Sequence, residues 1–148
     1  AMYTFYYPGY NLRSTDLQAY IGLSQIDKLN EWGVRRAKNF DLYQKNIKND
    51  YWKSNPQEDS FISNFAYPVI HPNRNKIVEE LQKNDIEVRP MICGSMGTQP
   101  FYAKKYGRLE LPNVSIIDKY GFYIPNHPHL TEGHIFKIIN IVNRGIKA

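Results

Sequence analysis

The order of the predicted elements indicates one α+β domain, in which helices cover a short, mostly antiparallel sheet. A length of 148 residues suits a single domain. Apolar residues make up 42% of the chain, which is enough for a sizeable core. Segments with helical periodicity alternate with short runs rich in β-branched and aromatic residues, and no repeat or low-complexity tract interrupts them.

The first predicted helix begins at Ser14 or Thr15, after a loop marked by Pro8 and Gly9. Thr15 and Gln18 have the spacing of a capping box. The apolar residues form two stripes, one of Ala19, Leu23, Ile26 and Leu29 and the other of Leu17 and Ile21. Such a wide apolar surface predicts a buried helix.

The remaining elements follow from periodicity and from turn residues. Asn30 and Gly33 predict a break, and Pro56 lies in a polar segment that predicts a loop over 49–60. Pro68 places the end of its strand at a sheet edge or a bulge. The predicted elements are a helix over about 32–48, a strand over 61–70, a helix over 74–83 capped by Asn73, a strand over 86–90, a loop over 93–100, short helices over 101–106 and 114–120, a strand over 122–124, and a helix capped by Thr131.

Charge and composition limit the class of protein. A net charge of +5 and a pI near 9.2 suit an anionic partner such as a nucleic acid or a nucleotide sugar, or simply a solvated basic surface. The single cysteine, Cys93, excludes an internal disulfide and fits a reducing cytosol. Without an apolar run of membrane-spanning length or a signal-like start, we expect a cytoplasmic protein that does not enter a membrane.

Asn11 and Arg13 lie directly ahead of the first predicted helix. A helix N-terminus favours anions, an amide donates to phosphate oxygens, and a guanidinium binds phosphate through two hydrogen bonds. The pair therefore predicts an anion site. The structural alternative is that Asn11 completes a turn and Arg13 pairs with Asp16.

A second candidate site lies on the strand over 86–90, where period-two alternation puts Glu87 and Arg89 on one face. Together they suit a polar sugar, or they pair with each other. Gly94 and Gly97 suit either a phosphate-binding nest or a simple turn. The histidines lack a cysteine or carboxylate at ligand spacing, so we predict no metal site, and Cys93 has no nearby histidine to activate it.

Residues 9–29 read G-Y-N-L-R-S-T-D-L-Q-A-Y-I-G-L-S-Q-I-D-K-L. This string resembles the segment after the cofactor-lysine region in the DegT/DnrJ/EryC1/StrS family of pyridoxal-phosphate-dependent nucleotide-sugar aminotransferases and dehydratases. The resemblance implies that residues 1–148 correspond to the C-terminal small domain of a fold-type-I enzyme, with a linking loop and helices over 9–48. The large cofactor-binding domain is then absent from this chain.

Two further motifs refine the resemblance. Residues 87–100, E-V-R-P-M-I-C-G-S-M-G-T-Q-P, are similar to the E-x-R-P-x-x-x-G-N-x-x-x-Q-P segment of the GDP-4-keto-6-deoxymannose 3-dehydratase-like branch, with Ser95 in place of asparagine. Residues 126–131, N-H-P-H-L-T, resemble the family's turn ahead of its last helix. The resemblance implies that Asn11 contacts the cofactor phosphate of a partner subunit. It also implies substrate contacts for four residues, namely Arg13, Glu87, Arg89 and His127.

The resemblance therefore implies part of an enzyme that uses pyridoxal or pyridoxamine 5'-phosphate. Its substrate would be a 4-keto-6-deoxyhexose nucleotide, in deoxysugar or aminosugar synthesis for lipopolysaccharide O-antigen. No lysine here lies in the family's lysine motif, so we expect a fragment that is inactive alone. The contact of Asn11 with a partner subunit's cofactor implies a homodimer. Two alternatives stay open: a basic, aromatic module that binds single-stranded nucleic acid, and a non-catalytic scaffold domain.

Overall fold

The computed structural model describes residues 4–7, 9, 15–92 and 94–148. Asn11, Arg13 and Cys93 lie outside the described residues. In chain order the elements are α1 (Asp16–Ile26), α2 (Leu29–Asn46), β1 (Ala66–Ile70), α3 (Arg74–Lys83), β2 (Arg89–Pro90), a 3₁₀ turn (Met96–Thr98), α4 (Pro100–Tyr106), α5 (Pro112–Tyr120), β3 (Gly121–Pro125) and α6 (Glu132–Lys147).

The three strands form one antiparallel sheet in the order β1-β3-β2. The central strand β3 pairs along its whole length with β1, from Ala66 opposite Pro125 to Ile70 opposite Gly121. The predicted α+β class with a short antiparallel sheet is therefore confirmed. Pro68 lies on the edge strand β1, as predicted, and an edge strand tolerates a residue without an N–H.

The core lies between one face of the sheet and three helices, α2, α3 and α6. It consists of Phe40, Tyr43, Ile47, Tyr67, Val69, Ile77, Leu81, Phe122, Ile124, Ile135, Ile138, Ile139, Ile141 and Val142. Alternate residues of β1 and β3 point into it, which leaves the opposite sheet face outside the core. The predicted apolar face of α6 is confirmed, and Thr131 caps that helix by accepting from the backbone N of His134 at 3.2 Å.

Two core tyrosines join α2 to the sheet through their hydroxyl groups. Tyr43 donates to the carbonyl of Pro125 at 2.9 Å, and Tyr67 donates to Oε1 of Gln44 at 2.8 Å. Burial raises the pKa of both phenols, to about 12 for Tyr67. Both therefore remain neutral donors at physiological pH, and they satisfy polar groups that the core removes from water.

Several predicted bounds differ from the structure. The helix α2 begins at Leu29 and includes Gly33, so the predicted break at Asn30 is wrong. Both outer strands are shorter than predicted. The strand β1 begins at Ala66 because its partner β3 ends at Pro125, whereas β2 pairs with only two residues of β3. Asn73 occupies the predicted N-cap position of α3, but its side chain makes no cap hydrogen bond and its amide donates to the carbonyl of Gly145 at 3.1 Å.

The capping box that begins α1 is confirmed. The backbone N of Gln18 donates to the hydroxyl of Thr15 at 3.3 Å, and the backbone N of Thr15 donates to Oε1 of Gln18 at 2.9 Å. The predicted burial of α1 is wrong for this chain by itself, since no residue of α1 is buried. The helix is thus formed locally and is not covered by the rest of the described chain.

Stability is expected to fall as the pH drops from 7 toward 5, because of His71. Its Nδ1 accepts from the backbone N of Asn73 at 3.1 Å, and burial lowers its pKa. In the unfolded chain the histidine protonates at about pH 6.5. Below that pH the unfolded state binds more protons than the folded state, so unfolding is favoured. Urea unfolding at pH 7 and pH 5 measures the difference, which His71→Gln should reduce. An unchanged difference in the variant would contradict this role.

Candidate functional site

The sheet face opposite the core carries the candidate site. Arg89 lies directly opposite Tyr123 in the β2–β3 register, so their side chains share a face. The ring of Phe65, which precedes β1, meets the ring of Tyr123 edge-on, with centroids 5.6 Å apart and planes at 81°. The register thus places a cation beside two aromatic rings.

Glu87 and Arg89 form an ion pair at this face. The Nε and Nη2 of Arg89 donate to Oε1 of Glu87 at 2.9 and 2.7 Å. Both side chains are exposed, and such a pair contributes about 0–1 kcal/mol to folding. The alternation that predicted their common face is confirmed, and the pair presents hydrogen-bond donors and an acceptor side by side.

Two adjoining cavities open on this face, and we call the one that Glu87 and Arg89 line the sheet-face groove. The groove has a volume of about 270 Å³ and is lined by Phe65, Ala66, Glu87, Arg89, Tyr123, Ile124 and Pro125. The neighbouring apolar pocket has a volume of about 460 Å³ and is lined by Asn64, Phe65, Ala66, Pro68, Met91, Ile92, Gly94, Ile117 and Tyr123. The two cavities share walls, so a ligand with polar and apolar parts is able to reach both.

The glycine loop after β2 forms a turn in the structure. The N–H of Gly94 donates to the carbonyl of Met91 at 3.2 Å, and the carbonyl of Gly97 accepts from the N–H of Leu109 at 3.1 Å. Gly94 has φ +51°, and a Cβ there would collide with the carboxylate of Asp118. The absence of a side chain at Gly94 therefore leaves room for the Asp118 carboxylate beside the backbone that borders the apolar pocket.

His127 lies in the turn between β3 and α6, where its side chain is exposed. Its ring lies against that of His129 with centroids 5.0 Å apart, and its carbonyl accepts from Nδ2 of Asn39 at 3.1 Å. Among the described residues, His127 does not line either cavity of the outer face. The structure thus brings Glu87 and Arg89 together and leaves His127 outside the groove.

Asn126 is a residue that the sequence did not single out by itself. It is 1% exposed, and its Nδ2 donates to the carbonyls of Arg36 at 3.1 Å and Asn64 at 2.7 Å. Asn64 precedes Phe65, so this side chain holds the groove wall against α2 and the turn after β3. The sequence signal for Asn126 was its place in the N-H-P motif. The motif did not reveal its role, because its partners Arg36 and Asn64 are distant in sequence.

Gln99, the glutamine of the Q-P segment, has a structural role that the motif did not reveal. Its Oε1 accepts from the backbone N of Phe5 at 3.0 Å, and the N–H of Phe101 donates to the carbonyl of Phe5 at 3.1 Å. These bonds hold residues 4–7 beside the start of α4. The segment that leads toward Asn11 is therefore attached to the loop after β2.

The side chains of the described chain do not form a metal site or a Schiff-base site. Within the described ranges, no three His, Cys, Asp or Glu side chains lie close enough together to hold a metal ion. No lysine is among the described residues that line the sheet-face groove or the apolar pocket. These residues do not fit a Schiff-base pocket, whereas the Glu87–Arg89 pair fits the hydroxyl groups of a sugar. The described helices also contain none long and apolar enough to cross a membrane.

Comparisons with known proteins agree with these motifs. A lipopolysaccharide biosynthesis protein of Salmonella typhimurium is 30% identical over 93% of this chain and 34% of its own length. GDP-4-keto-6-deoxy-D-mannose 3-dehydratase of Yersinia pseudotuberculosis is 25% identical over 96% of this chain and 38% of its own length. The chain therefore spans just over a third of the length of these curated relatives.

The fold is shared with a solved structure of Escherichia coli GDP-4-keto-6-deoxy-D-mannose-3-dehydratase with bound hydrated PLP. The TM-score is 0.71 at 25% identity, over 95% of this chain and 38% of that one. The predicted α+β fold is thus confirmed by similarity to part of a known enzyme. A family model matches residues 2–143, and this chain belongs to the DegT/DnrJ/EryC1/StrS aminotransferase family.

Proposed function

We propose that this chain is the substrate-facing small domain, residues 1–148, of a pyridoxal- or pyridoxamine-phosphate-dependent enzyme that acts on a nucleotide-linked 4-keto-6-deoxyhexose. The enzyme is an aminotransferase or a 3-dehydratase in deoxysugar and surface polysaccharide synthesis. Its partners are the missing large domain and a second subunit in a cytoplasmic homodimer. The single observation that supports this proposal is the Glu87–Arg89 pair beside Tyr123 in the sheet-face groove.

The groove suits a sugar for a chemical reason. Sugar hydroxyls both donate and accept hydrogen bonds, and the pair offers a guanidinium and a carboxylate less than 3 Å apart. The aromatic rings of Tyr123 and Phe65 supply a flat apolar surface beside it. Because the pair adds little to folding stability, a ligand is able to engage both groups without unfolding the strand.

The cofactor, when bound, supplies an electron sink for the reaction at the sugar. We assign its attachment to the large domain, with Asn11 reaching the phosphate across the subunit interface and Arg13 contacting the nucleotide sugar. The groove residues of this chain position the sugar and exclude water from one side of it. We retain His127 as a substrate contact, for a part of the nucleotide that extends beyond the groove.

The nucleic-acid alternative predicted aromatic and basic residues in a row along a sheet face. The outer face does carry Phe65 and Tyr123, but Arg89 is the one basic residue among the described residues that line its two cavities, and it pairs with Glu87. The family relatives are biosynthetic enzymes, which also favours the enzymatic proposal.

The test combines this chain with a separately produced large domain and measures cofactor absorbance and binding of a GDP-linked 4-keto-6-deoxyhexose. Arg89→Ala is expected to weaken nucleotide-sugar binding at least about tenfold, since hydrogen bonds to a charged group contribute about 1.5–3 kcal/mol. Cofactor absorbance should persist in that variant.

The matched control is Arg108→Ala, because Arg108 forms an exposed pair with Glu110 at 2.8 Å, also two residues apart, outside both outer-face cavities. The control should bind the nucleotide sugar like the unaltered chain. Equal losses in the two variants, or no loss with Arg89→Ala, would show that the groove does not hold the sugar.

A further inference from the structure

The outer side of α6 carries a row of basic and small residues, which we call the α6 row. It consists of Gly133, Lys137, Asn140, Arg144 and Lys147, and this spacing of three or four residues places them along one side of the helix. The buried isoleucines of α6 fill most of the opposite side, against the core. The α6 row therefore faces away from the core, whereas the sheet-face groove lies on the far side of the sheet.

A groove of about 770 Å³ borders the α6 row, and we call it the basic groove. Its cations are Lys48, Lys137, Arg144 and Lys147, and no carboxylate is among the described residues that line it. The backbone N of Lys48 donates to Oδ1 of Asn143 at 2.8 Å, which fixes the chain after α2 beside α6. The basic groove thus gathers cations from two separate parts of the chain.

The helix dipole accounts for only part of this charge. Arg144 and Lys147 lie in the last turn of α6, where the partial negative charge of the helix end favours cations. Lys137 lies well before that turn, where the effect of the dipole has fallen off. The dipole therefore does not explain why the row extends along the helix.

The described chain also supplies no carboxylate to these cations. None of the ion pairs among the described residues includes Lys137, Arg144 or Lys147. Glu79 and Glu80 border an adjoining cavity together with Arg144, but both carboxylates pair with a lysine of their own helix. An anion from another molecule would therefore meet cations that no carboxylate of this chain neutralises.

The spacing of the cations selects an elongated partner. Lys137 and Lys147 are ten residues apart, a rise of about 15 Å, so one phosphate or carboxylate group does not reach both. Gly133 and Asn140 are small, which lets a second helix lie close to α6. Phe136, which also lines the groove, is 39% exposed and offers an apolar contact. A helix with carboxylates at the same spacing matches the row in both repeat and length.

We infer that the basic groove binds an acidic, amphipathic helix of a partner protein, with carboxylates toward the α6 row and an apolar side chain against Phe136. Because the cations are exposed, each ion pair adds little, and the affinity is expected to fall as salt rises. A second copy of α6 does not fit, since cations would face cations. This binding needs neither cofactor, sugar nor large domain, so it is independent of the proposed function.

The test measures binding of a synthetic helical peptide to the 148-residue chain by calorimetry. The peptide is alanine-based, with glutamates at the spacing of the α6 row and one leucine. We expect one-to-one binding that weakens at least about fivefold between about 0.01 M and 0.15 M ionic strength. Lys137→Gln and Lys147→Gln, at the two ends of the cation row, should each weaken binding about threefold, and together at least about tenfold.

The matched control is Lys104→Gln, because Lys104 is also an exposed lysine in the last turn of a helix, but outside the basic groove. This variant should bind the peptide like the unaltered chain. A second control peptide carries the same residues with the glutamates in scrambled order, and it should bind several-fold more weakly. Equal losses for Lys104→Gln and Lys147→Gln, or equal affinity for the two peptides, would overturn the inference.

Other occupants of the groove give different results. Inorganic polyphosphate is the probe for a phosphate polymer, and tighter binding of it than of the ordered peptide would assign the groove to such polymers instead. Self-association in light scattering that Lys147→Gln abolishes would assign it to a second copy. Absence of binding by every probe would leave a solvated basic surface. Each of these three results contradicts an acidic helix as the partner.

Discussion

Phe122→Ala is expected to lower the free energy of unfolding by about 3–5 kcal/mol, through lost burial and the cavity left behind. Phe122 is 0% exposed and lies at the middle of the core on β3, opposite Val69 of β1 and Pro90 of β2. Few neighbours are free to collapse into the space, because the sheet holds this position from both sides. Since small domains are stable by about 5–15 kcal/mol, this loss removes a large fraction of the total stability.

Urea titration followed by circular dichroism measures the loss. Phe61→Ala is the control, because Phe61 is an exposed phenylalanine of the same chain. Its removal should change stability by no more than about 0.5 kcal/mol. Similar losses in both variants would mean that Phe122 is not packed as the structure shows.

Gly145→Ala is expected to destabilise the chain, against the usual effect of alanine in a helix. A Cβ at Gly145 would lie 2.6 Å from Cγ1 and 3.3 Å from Cα of Ile77, where α6 crosses α3. Overpacking of this kind costs about 1–3 kcal/mol, whereas the gain in helix propensity is about 1 kcal/mol. The backbone contact does not relax by a side-chain rotation, so we expect a net loss.

The control for this substitution lies in the same helix. Gly133 is near the start of α6, and its Cβ would meet only the hydroxyl of Thr131 at 3.7 Å. Gly133→Ala should therefore leave stability unchanged or raise it, by up to about 1 kcal/mol. Thermal unfolding of both variants measures whether each substitution lowers or raises stability. A stabilised Gly145→Ala variant would show that α6 and α3 lie further apart at their crossing than the structure describes.

Helices α3 and α6 were predictable because their signal is local. The bounds of α3 agree with the predicted 74–83, and the buried face of α6 agrees with its isoleucine spacing. Strand lengths were not predictable, because residues 61–65 have β-like composition but no partner. The central strand β3 has five residues, and its register with β1 ends at Ala66.

The candidate site was predictable only in part. Alternation alone put Glu87 and Arg89 on one face, and the structure shows them paired. Tyr123 and Phe65 were not predictable as their neighbours, because the register between strands far apart in the chain decides which side chains meet. His127 was selected from a motif, and chain folding directs its ring toward His129 instead of the groove.

The apolar pattern of the chain was sufficient to specify the α+β class, the helix α6 and the capped helix α1, because capping and periodicity are short-range effects. Family membership likewise followed from contiguous motifs. Which residues border the sheet-face groove was decided only by tertiary structure, since strand pairing joins positions more than 30 residues apart, as with Arg89 and Tyr123. The exposure of α1 was also a tertiary result, because a sequence pattern shows that a surface is apolar but not which body covers it.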